Sequence, residues 1–349
     1  MKKRIRDYGI RIGDHPAGAL NKLTDVPGVR VGHYTVDTEE HKTGVTVILP
    51  CEENIFASRL TAAAFVHNGF GKTAGIPQIE ELGTLESPIA LTNTLNVGKV
   101  HDALVDYMVE QCERDGVELT SMNPVVGECN DASLNKITER VIGIPEVRAA
   151  IDGACRDFEE GDVGAGKGTT CFGMKGGIGS ASRLVELDGK NYTIGSLVLS
   201  NHAMFDDLIV GGTPIQQLLE AHIPPHEDKG SIITVLATDI PLSERQLRRL
   251  CHRALVGLSR TGSYCGNGSG EIVLAFTTAN RMPHYADKAL LPMTMLHDDA
   301  INPLFRAVAE CVEESVLSSL FHAETVTGYH GKTVPCLTDL LEGKIERKE

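Results

Sequence analysis

The chain lacks the short motifs that would assign a common hydrolase at once. No G-x-S-x-G elbow occurs, so an α/β-hydrolase nucleophile turn is missing. No H-E-x-x-H occurs, which removes the zincin ligand pair. The nine cysteines form no C-x-x-C pair, and the thirteen histidines show no metal spacing, so no metal and no cofactor are expected. No run approaches the roughly 18 apolar residues of a membrane span. Residues 1–13 hold no apolar stretch of the signal-peptide kind. Basic residues are also short: 33 Lys and Arg against 47 Asp and Glu give a net charge of −14. An acidic surface repels phosphate backbones and anionic membranes, so neither nucleic acid nor membrane is an expected partner. Scattered cysteines in odd number suit reduced thiols and a cytoplasmic setting.

The 349 residues are 42% hydrophobic and 23% charged, and include 36 glycines in clusters, which suggests many tight turns. Strands and helices alternate with no Pro/Ser-rich linker and no repeat, so one α/β or α+β domain is expected. Strands are expected in 25–49, 87–93 and 194–201, and in 272–276. Shorter apolar pieces end in turns at 65–72 and 124–131. Val97, Val100, Leu104, Met108 and Cys112 recur at helical spacing up to Gly116. Helices are also expected over 144–160, 214–223, from Ser243 and over 302–321. Ser243 and Gln246 have capping-box spacing.

One segment looks like a phosphate loop. Gly161, Gly166 and Lys167 nearly fit G-x-x-x-x-G-K-[ST], but Gly168 stands where the hydroxyl belongs, and no core strand precedes it. A glycine-rich packing turn over 161–179 is the better reading.

Residues 224–239 are more informative. A polar, Pro-led loop stops at Gly230, and Ser231 opens the apolar, β-branched run Ile232–Ala237, which reads as a buried strand. Cutting the Gly230–Ser231 bond would give Ser231 a hydroxyl and a free α-amine at the end of a well-held strand. That amine titrates near about 7.7–8.0, so it can take a proton from the adjacent hydroxyl at neutral pH. The alternative is an ordinary Gly-Ser turn. His222 and His226 flank this loop and could assist a cut, or be plain exposed histidines. Further on, Gly266-Asn-Gly-Ser-Gly-Glu sets Ser269 and Glu271 two residues apart at a strand entrance, on one face. The glycines around them permit close approach of another segment. This pair could orient the hydroxyl and amine of Ser231; the alternative is a glycine turn with a solvated glutamate.

Taken together, these stretches resemble the self-processing aminopeptidases of the DmpA type, which include β-peptidyl aminopeptidases and L-aminopeptidase/D-amino-acid esterases. The resemblance rests on Thr24-Asp-Val-Pro-Gly-Val-Arg-Val-Gly-His, Leu91-Thr-Asn-Thr, Pro124-Val-Val-Gly-Glu-Cys-Asn-Asp and Gly230-Ser-Ile-Ile. It continues through Arg260-Thr-Gly-Ser and Gly266-Asn-Gly-Ser-Gly-Glu to Thr327-Gly, and so spans nearly the whole chain. It implies an α+β, four-layer αββα sandwich of the N-terminal-nucleophile kind. It further implies a chain cut into 1–230 and 231–349 that stays together. Ser231 would be the nucleophile, Ser269 and Glu271 its partners, Asn201 an oxyanion donor, and Glu128 the anchor for the substrate's amine. Substrates would be small peptides, amino-acid amides or esters, and the family's assemblies imply a homo-oligomer, commonly a tetramer. Asn130 stands where some members carry a tyrosine proposed to help hold the oxyanion. Two other readings are an acyltransferase of the ornithine-acetyltransferase type, against which the serine at 231 argues, and an uncut ligand-binding protein.

Overall fold

The structure, a computed structural model, describes residues 4–219, 223 and 230–341. Ten strands form its two main sheets. β1 (Arg30–Asp37), β2 (Lys42–Leu49), β5 (Ile89–Asn93) and β6 (Val125–Cys129) make the smaller sheet, in the order β1-β2-β5-β6. The larger sheet has β3 (Ser58–Gly69), β4 (Thr84–Leu85), β7 (Ile178–Leu187), β8 (Lys190–Asn201), β9 (Ser231–Thr238) and β10 (Gly270–Pro283), ordered β4-β3-β10-β9-β8-β7. The β5–β6 and β9–β10 pairs are parallel, and the other pairs are antiparallel.

Alternation along each strand explains the layers. On β9, Ile233 and Val235 enter an apolar layer with Leu197, Leu199, Ile272 and Leu274, facing Ile48, Leu91 and Val125 of the smaller sheet. Ile232 and Leu236 point the other way, into a layer with Leu247, Leu250, Val308 and Val312. Those last four lie on two helices of the outer layer. Labelled with the chain's other long helices, these are α1 (Ile76–Leu82), α2 (Val97–Asp115), α3 (Ile144–Asp152), α4 (Glu244–Arg260) and α5 (Asn302–Phe321). The smaller sheet turns Val45, Val47 and Val126 toward Val100 and Leu104 of α2 and Val147 of α3. The order is helices, sheet, sheet, helices: the αββα sandwich. Each side chain buried between the sheets is worth about 2–5 kcal/mol against alanine, so the sheet faces fix the register of the strand ends.

Several elements match the sequence reading. The helices over 97–115 and 302–321 fall where expected, and Ser243 and Gln246 form the capping box of α4. Others differ. The helix expected over 144–160 stops at Asp152, because Cys155 leaves it to bridge with Val31 at the edge of β1. The helix expected over 214–223 is a single turn, Ile215–Leu218; residues 220–222 lie outside the described residues. His222 and His226 also lie outside them. β3 starts seven residues before the apolar piece at 65 and runs through Ala62, Ala63 and Ala64, which favour helix locally but are buried here between sheet neighbours.

The phosphate-loop lookalike is a packing turn. Lys167 is buried, with Nζ 2.7 Å from Asp37 and 3.0 Å from Asp162, so its charge is already neutralised. A Cβ at Gly168 would lie 2.0 Å from the Lys42 carbonyl oxygen, and one at Gly166 would lie 2.6 Å from Gly177 Cα. These glycines let backbone pass against backbone. No helix among the described residues is long and apolar enough to cross a membrane.

Candidate active site

The start of β9 sits between two strand ends. Asn201, the last residue of β8, is the register partner of Ser231 on one side, and Gly270, the first residue of β10, is its partner on the other. Ser231 is 7% exposed, and among the described residues its hydroxyl makes no hydrogen bond. By alternation it shares the inter-sheet face of β9 with Ile233 and Val235.

Glycine shapes this corner twice. A Cβ at Gly270 would come within 3.1 Å of Ser231 Oγ and 2.7 Å of the Phe70 carbonyl oxygen, so the missing side chain lets the Phe70 backbone and the hydroxyl both approach this position. A Cβ at Gly230 would lie 1.8 Å from the Asn201 carbonyl oxygen and 2.6 Å from His202 Cα. Residue 230 therefore has to be glycine for space. It does not adopt the left-handed backbone that strain at this bond would suggest. The Gly230 carbonyl accepts a 3.1 Å hydrogen bond from the Gly270 amide, which polarises the carbonyl of the Gly230–Ser231 bond.

Asn201 is oriented. Its Oδ1 accepts from the Thr170 amide at 2.9 Å, which fixes the side-chain amide and leaves Nδ2 as the free donor end. Glu128, on β6, is 3% exposed. Its Oε1 accepts from the Lys72 amide at 3.0 Å and its Oε2 from the Thr94 hydroxyl. A Cβ at Gly71 would lie 3.7 Å from Glu128 Oε1 and 3.4 Å from Ile272 Cδ1, which puts this carboxylate near the mouth of the inter-sheet layer. Gly127 brings β6 against β9: a Cβ there would meet Ile233 Cγ2 at 3.0 Å. Cys129 completes the contact, its thiol 3.4 Å from the Ser231 carbonyl oxygen. Burial, reinforced by the Glu128 charge, pushes that thiol well above its ordinary range, so it stays protonated.

Ser269 and Glu271 are both buried, and the serine hydroxyl donates to Glu271 Oε1. Alternation puts Glu271 on the helix-facing side of β10, opposite to Ile272, while Ser231 lies on the inter-sheet side. No hydrogen bond joins Ser231 to either residue. The pair lies across the Gly270 position from the hydroxyl, one residue to either side of it. Asn130 is exposed at the end of β6 and its Oδ1 caps the Ala132 amide at 3.0 Å, so only its Nδ2 is turned elsewhere.

Sequence reasoning did not single out Thr94, Lys72, Cys129 or Asn68, which surround these groups. Only Asn68-Gly69 carries a local signal, that of a turn. Elsewhere, the ligand atoms of Glu40, His41 and Glu139 lie within 4.8 Å of one another at the surface. The Lys136 ammonium already bridges the two carboxylates, 3.2 Å from Glu40 and 2.7 Å from Glu139.

The chain is similar to known proteins along nearly its whole length. Residues 21–334 match peptidase family S58. It is 36% identical to the beta-peptidyl aminopeptidase BapA of Sphingosinicella xenopeptidilytica, over 95% of this chain and 88% of that one. Among solved structures, the PH0078 protein of Pyrococcus horikoshii OT3 is 47% identical, with a TM-score of 0.91 over 97% of this chain and 98% of that one. The L-aminopeptidase D-Ala-esterase/amidase of Ochrobactrum anthropi, described as a serine aminopeptidase and a variant of the Ntn-hydrolase fold, is 35% identical. Its TM-score is also 0.91, over 99% of this chain and 100% of that one. A match of this extent leaves one assignment: the chain is a hydrolase with an Ntn-type fold and belongs to peptidase family S58.

Proposed function

We propose that this protein is a self-processing serine aminopeptidase that releases an N-terminal amino acid from small peptides, amino-acid amides or esters. The observation that carries the reading is the seat of Ser231. A serine opens a central, buried strand, with an oriented asparagine on one flank and, on the other, a glycine against which its hydroxyl packs.

In the uncut chain, Ser231 Oγ attacks the Gly230 carbonyl carbon, already polarised by the Gly270 amide. The C–N bond breaks, its nitrogen takes up the hydroxyl proton, and an ester remains. Water hydrolyses the ester, freeing the carboxylate of Gly230 and the α-amine and hydroxyl of Ser231. The larger fragment is 1–230, and the smaller holds 349 − 230 = 119 residues. Sheet order supports their staying together: β9 and β10 of the second fragment lie between β3 and β8 of the first.

In turnover, the ammonium of a substrate pairs with Glu128, whose oxygens keep lone pairs beyond those used by Lys72 and Thr94. Ser231 attacks the first carbonyl, and its own α-amine takes the proton. Such general-base help contributes about 10²–10⁴-fold. Ser269 and Glu271, on the other face of the strand, hold the surroundings of that amine and balance its charge. Asn201 Nδ2 donates to the oxyanion, with the exposed Asn130 at the rim. The leaving amine departs protonated, and water then cleaves the acyl-serine. A homo-oligomer fits the apolar, exposed arm of Leu290, Leu291, Met293 and Met295, and the free cysteines suit a reducing cytoplasm.

Ser231→Ala tests the whole reading. The parent should run as two bands on a denaturing gel, the smaller beginning Ser-Ile-Ile, and should hydrolyse aminoacyl p-nitroanilides. The variant should run as one band and be inactive. An active parent with an unbroken chain, or cutting in the variant, overturns it.

A further inference from the structure

The turn that carries Ser269 is rich in glycine and is held in part by a side chain from another strand. Between α4 and β10 the chain runs Gly262-Ser-Tyr-Cys-Gly-Asn-Gly-Ser, rich in the residue with the most backbone freedom to lose. A backbone hydrogen bond closes the turn, from the Ser269 amide to the Gly266 carbonyl at 2.9 Å. Further support comes from another strand. Asn68 lies near the end of β3, the register partner of Glu271, where the β3–β10 pairing shifts. Its Nδ2 donates to the carbonyls of Gly266 at 2.9 Å, Asn267 at 3.3 Å and Ser269 at 2.5 Å. The amide orientation follows from chemistry. Three carbonyl oxygens converge on this end of the side chain, so the NH₂ must face them; the flipped amide would set oxygen against oxygen. Its neighbours Val66, His67 and Gly69 are exposed, while Asn68 is partly buried over the turn.

We propose that Asn68 is a positioning residue that locks the glycine turn and thereby sets the Ser269–Glu271 pair beside the start of β9. This rests on the reading of Ser231 given above. Asn68 makes no hydrogen bond to Glu128, whose carboxylate is held by the Lys72 amide and the Thr94 hydroxyl instead. Loss of the clamp lets the pair drift, and misplacement of about 1 Å at such a site costs on the order of 100-fold in rate.

The test compares the parent with Asn68→Ala and with the near-isosteric Asn68→Asp, which turns an acceptor toward the three carbonyls. Folding is followed by circular dichroism and the cut fraction by denaturing gel. Turnover of an aminoacyl p-nitroanilide is then expressed per cut chain. We expect kcat to fall by about 100-fold with KM within about threefold of the parent, or the folded chain to remain uncut. A general structural role predicts instead a lower melting temperature with parental kcat per cut chain, and that result overturns the proposal. A loss carried by KM, or failure of both variants to fold, overturns it equally. If Ser231→Ala keeps its activity, the underlying reading has failed. If Ser231→Ala is dead while both Asn68 variants turn over normally, only the role of Asn68 has.

Discussion

Two glycine-rich regions of this molecule use the same residue for close approach and differ in what approaches. In the turn around Gly161–Gly168, the gaps left by missing side chains are filled by packed neighbours: Gly177 beside Gly166, the Lys42 carbonyl beside Gly168, the Thr46 and His33 side chains beside Gly164. At the head of β9, the gap at Gly270 lies beside a serine hydroxyl that has no hydrogen-bond partner among the described residues. In both regions glycine permits close approach; in the first the approaching groups are already satisfied, and in the second one of them is a hydroxyl without a partner. The lysine of the first region shows the same contrast, since Asp37 and Asp162 consume its charge. A glycine cluster therefore becomes a candidate site only through what its neighbours leave unsatisfied.

The comparison can be sharpened most strongly at Asn201. Removing an oriented oxyanion donor typically costs about 10²–10³-fold in kcat, so Asn201→Ala should lose that much with folding intact, measured in steady-state kinetics on the cut enzyme. Next comes Glu128→Gln. Breaking a buried charge pair costs about 2–5 kcal/mol, so kcat/KM for substrates with a free amine should fall on the order of 100-fold. The parent's preference for those substrates over their N-acetylated forms should narrow in step. A pair of glycine variants then separates the regions directly. Gly168→Ala and Gly270→Ala each force a Cβ into contact and should destabilise by about 1–3 kcal/mol in denaturant melts. Only Gly270→Ala should lose kcat per folded molecule. Equal loss in both would erase the distinction.

The smallest effect concerns Asp131, which packs against Gly168 two residues beyond Cys129 and so touches both regions. Burial pushes its carboxyl up to about 6 from the ordinary 3.8. The folded state thus holds this proton more tightly than the unfolded one. Its contribution to stability is full below the unfolded value and is lost as pH rises through the folded one. Asp131→Asn removes the titration. The parent's melting temperature relative to that variant should therefore drop, on the order of a few °C, between about pH 4 and pH 6. A difference that does not change with pH would contradict the shift.

The strongest signals in the sequence were local and chemical. The capping box at Ser243, the helix over 302–321 and the apolar run after Ser231 all declare themselves through neighbours in the chain. What stayed hidden depends on partners far away in sequence. Ala62–Ala64 become strand because they pair with Phe276, Ala275 and Leu274 of β10. β7 hides its nature behind Ser180, Ser182 and Arg183, all buried. Arg183 is satisfied by Glu310 at 3.2 Å and Glu314 at 2.5 Å, on α5. In the candidate site, Ser231 and Glu271 could be picked out by residue type and setting, and Glu128 by resemblance alone. Their supports could not, since Thr94, Lys72 and Asn68 act through a hydroxyl, a main-chain amide and a side-chain amide with no distinctive spacing.

The tightness around residue 230 has a consequence for what this enzyme can recognise. A pocket that tolerates only hydrogen on that carbon admits the chain's own peptide and rejects every other residue in the same pose. On the proposed reading, the first reaction and all later ones are then selected by different walls. Substrate preference could be redesigned around Glu128 while maturation proceeds untouched.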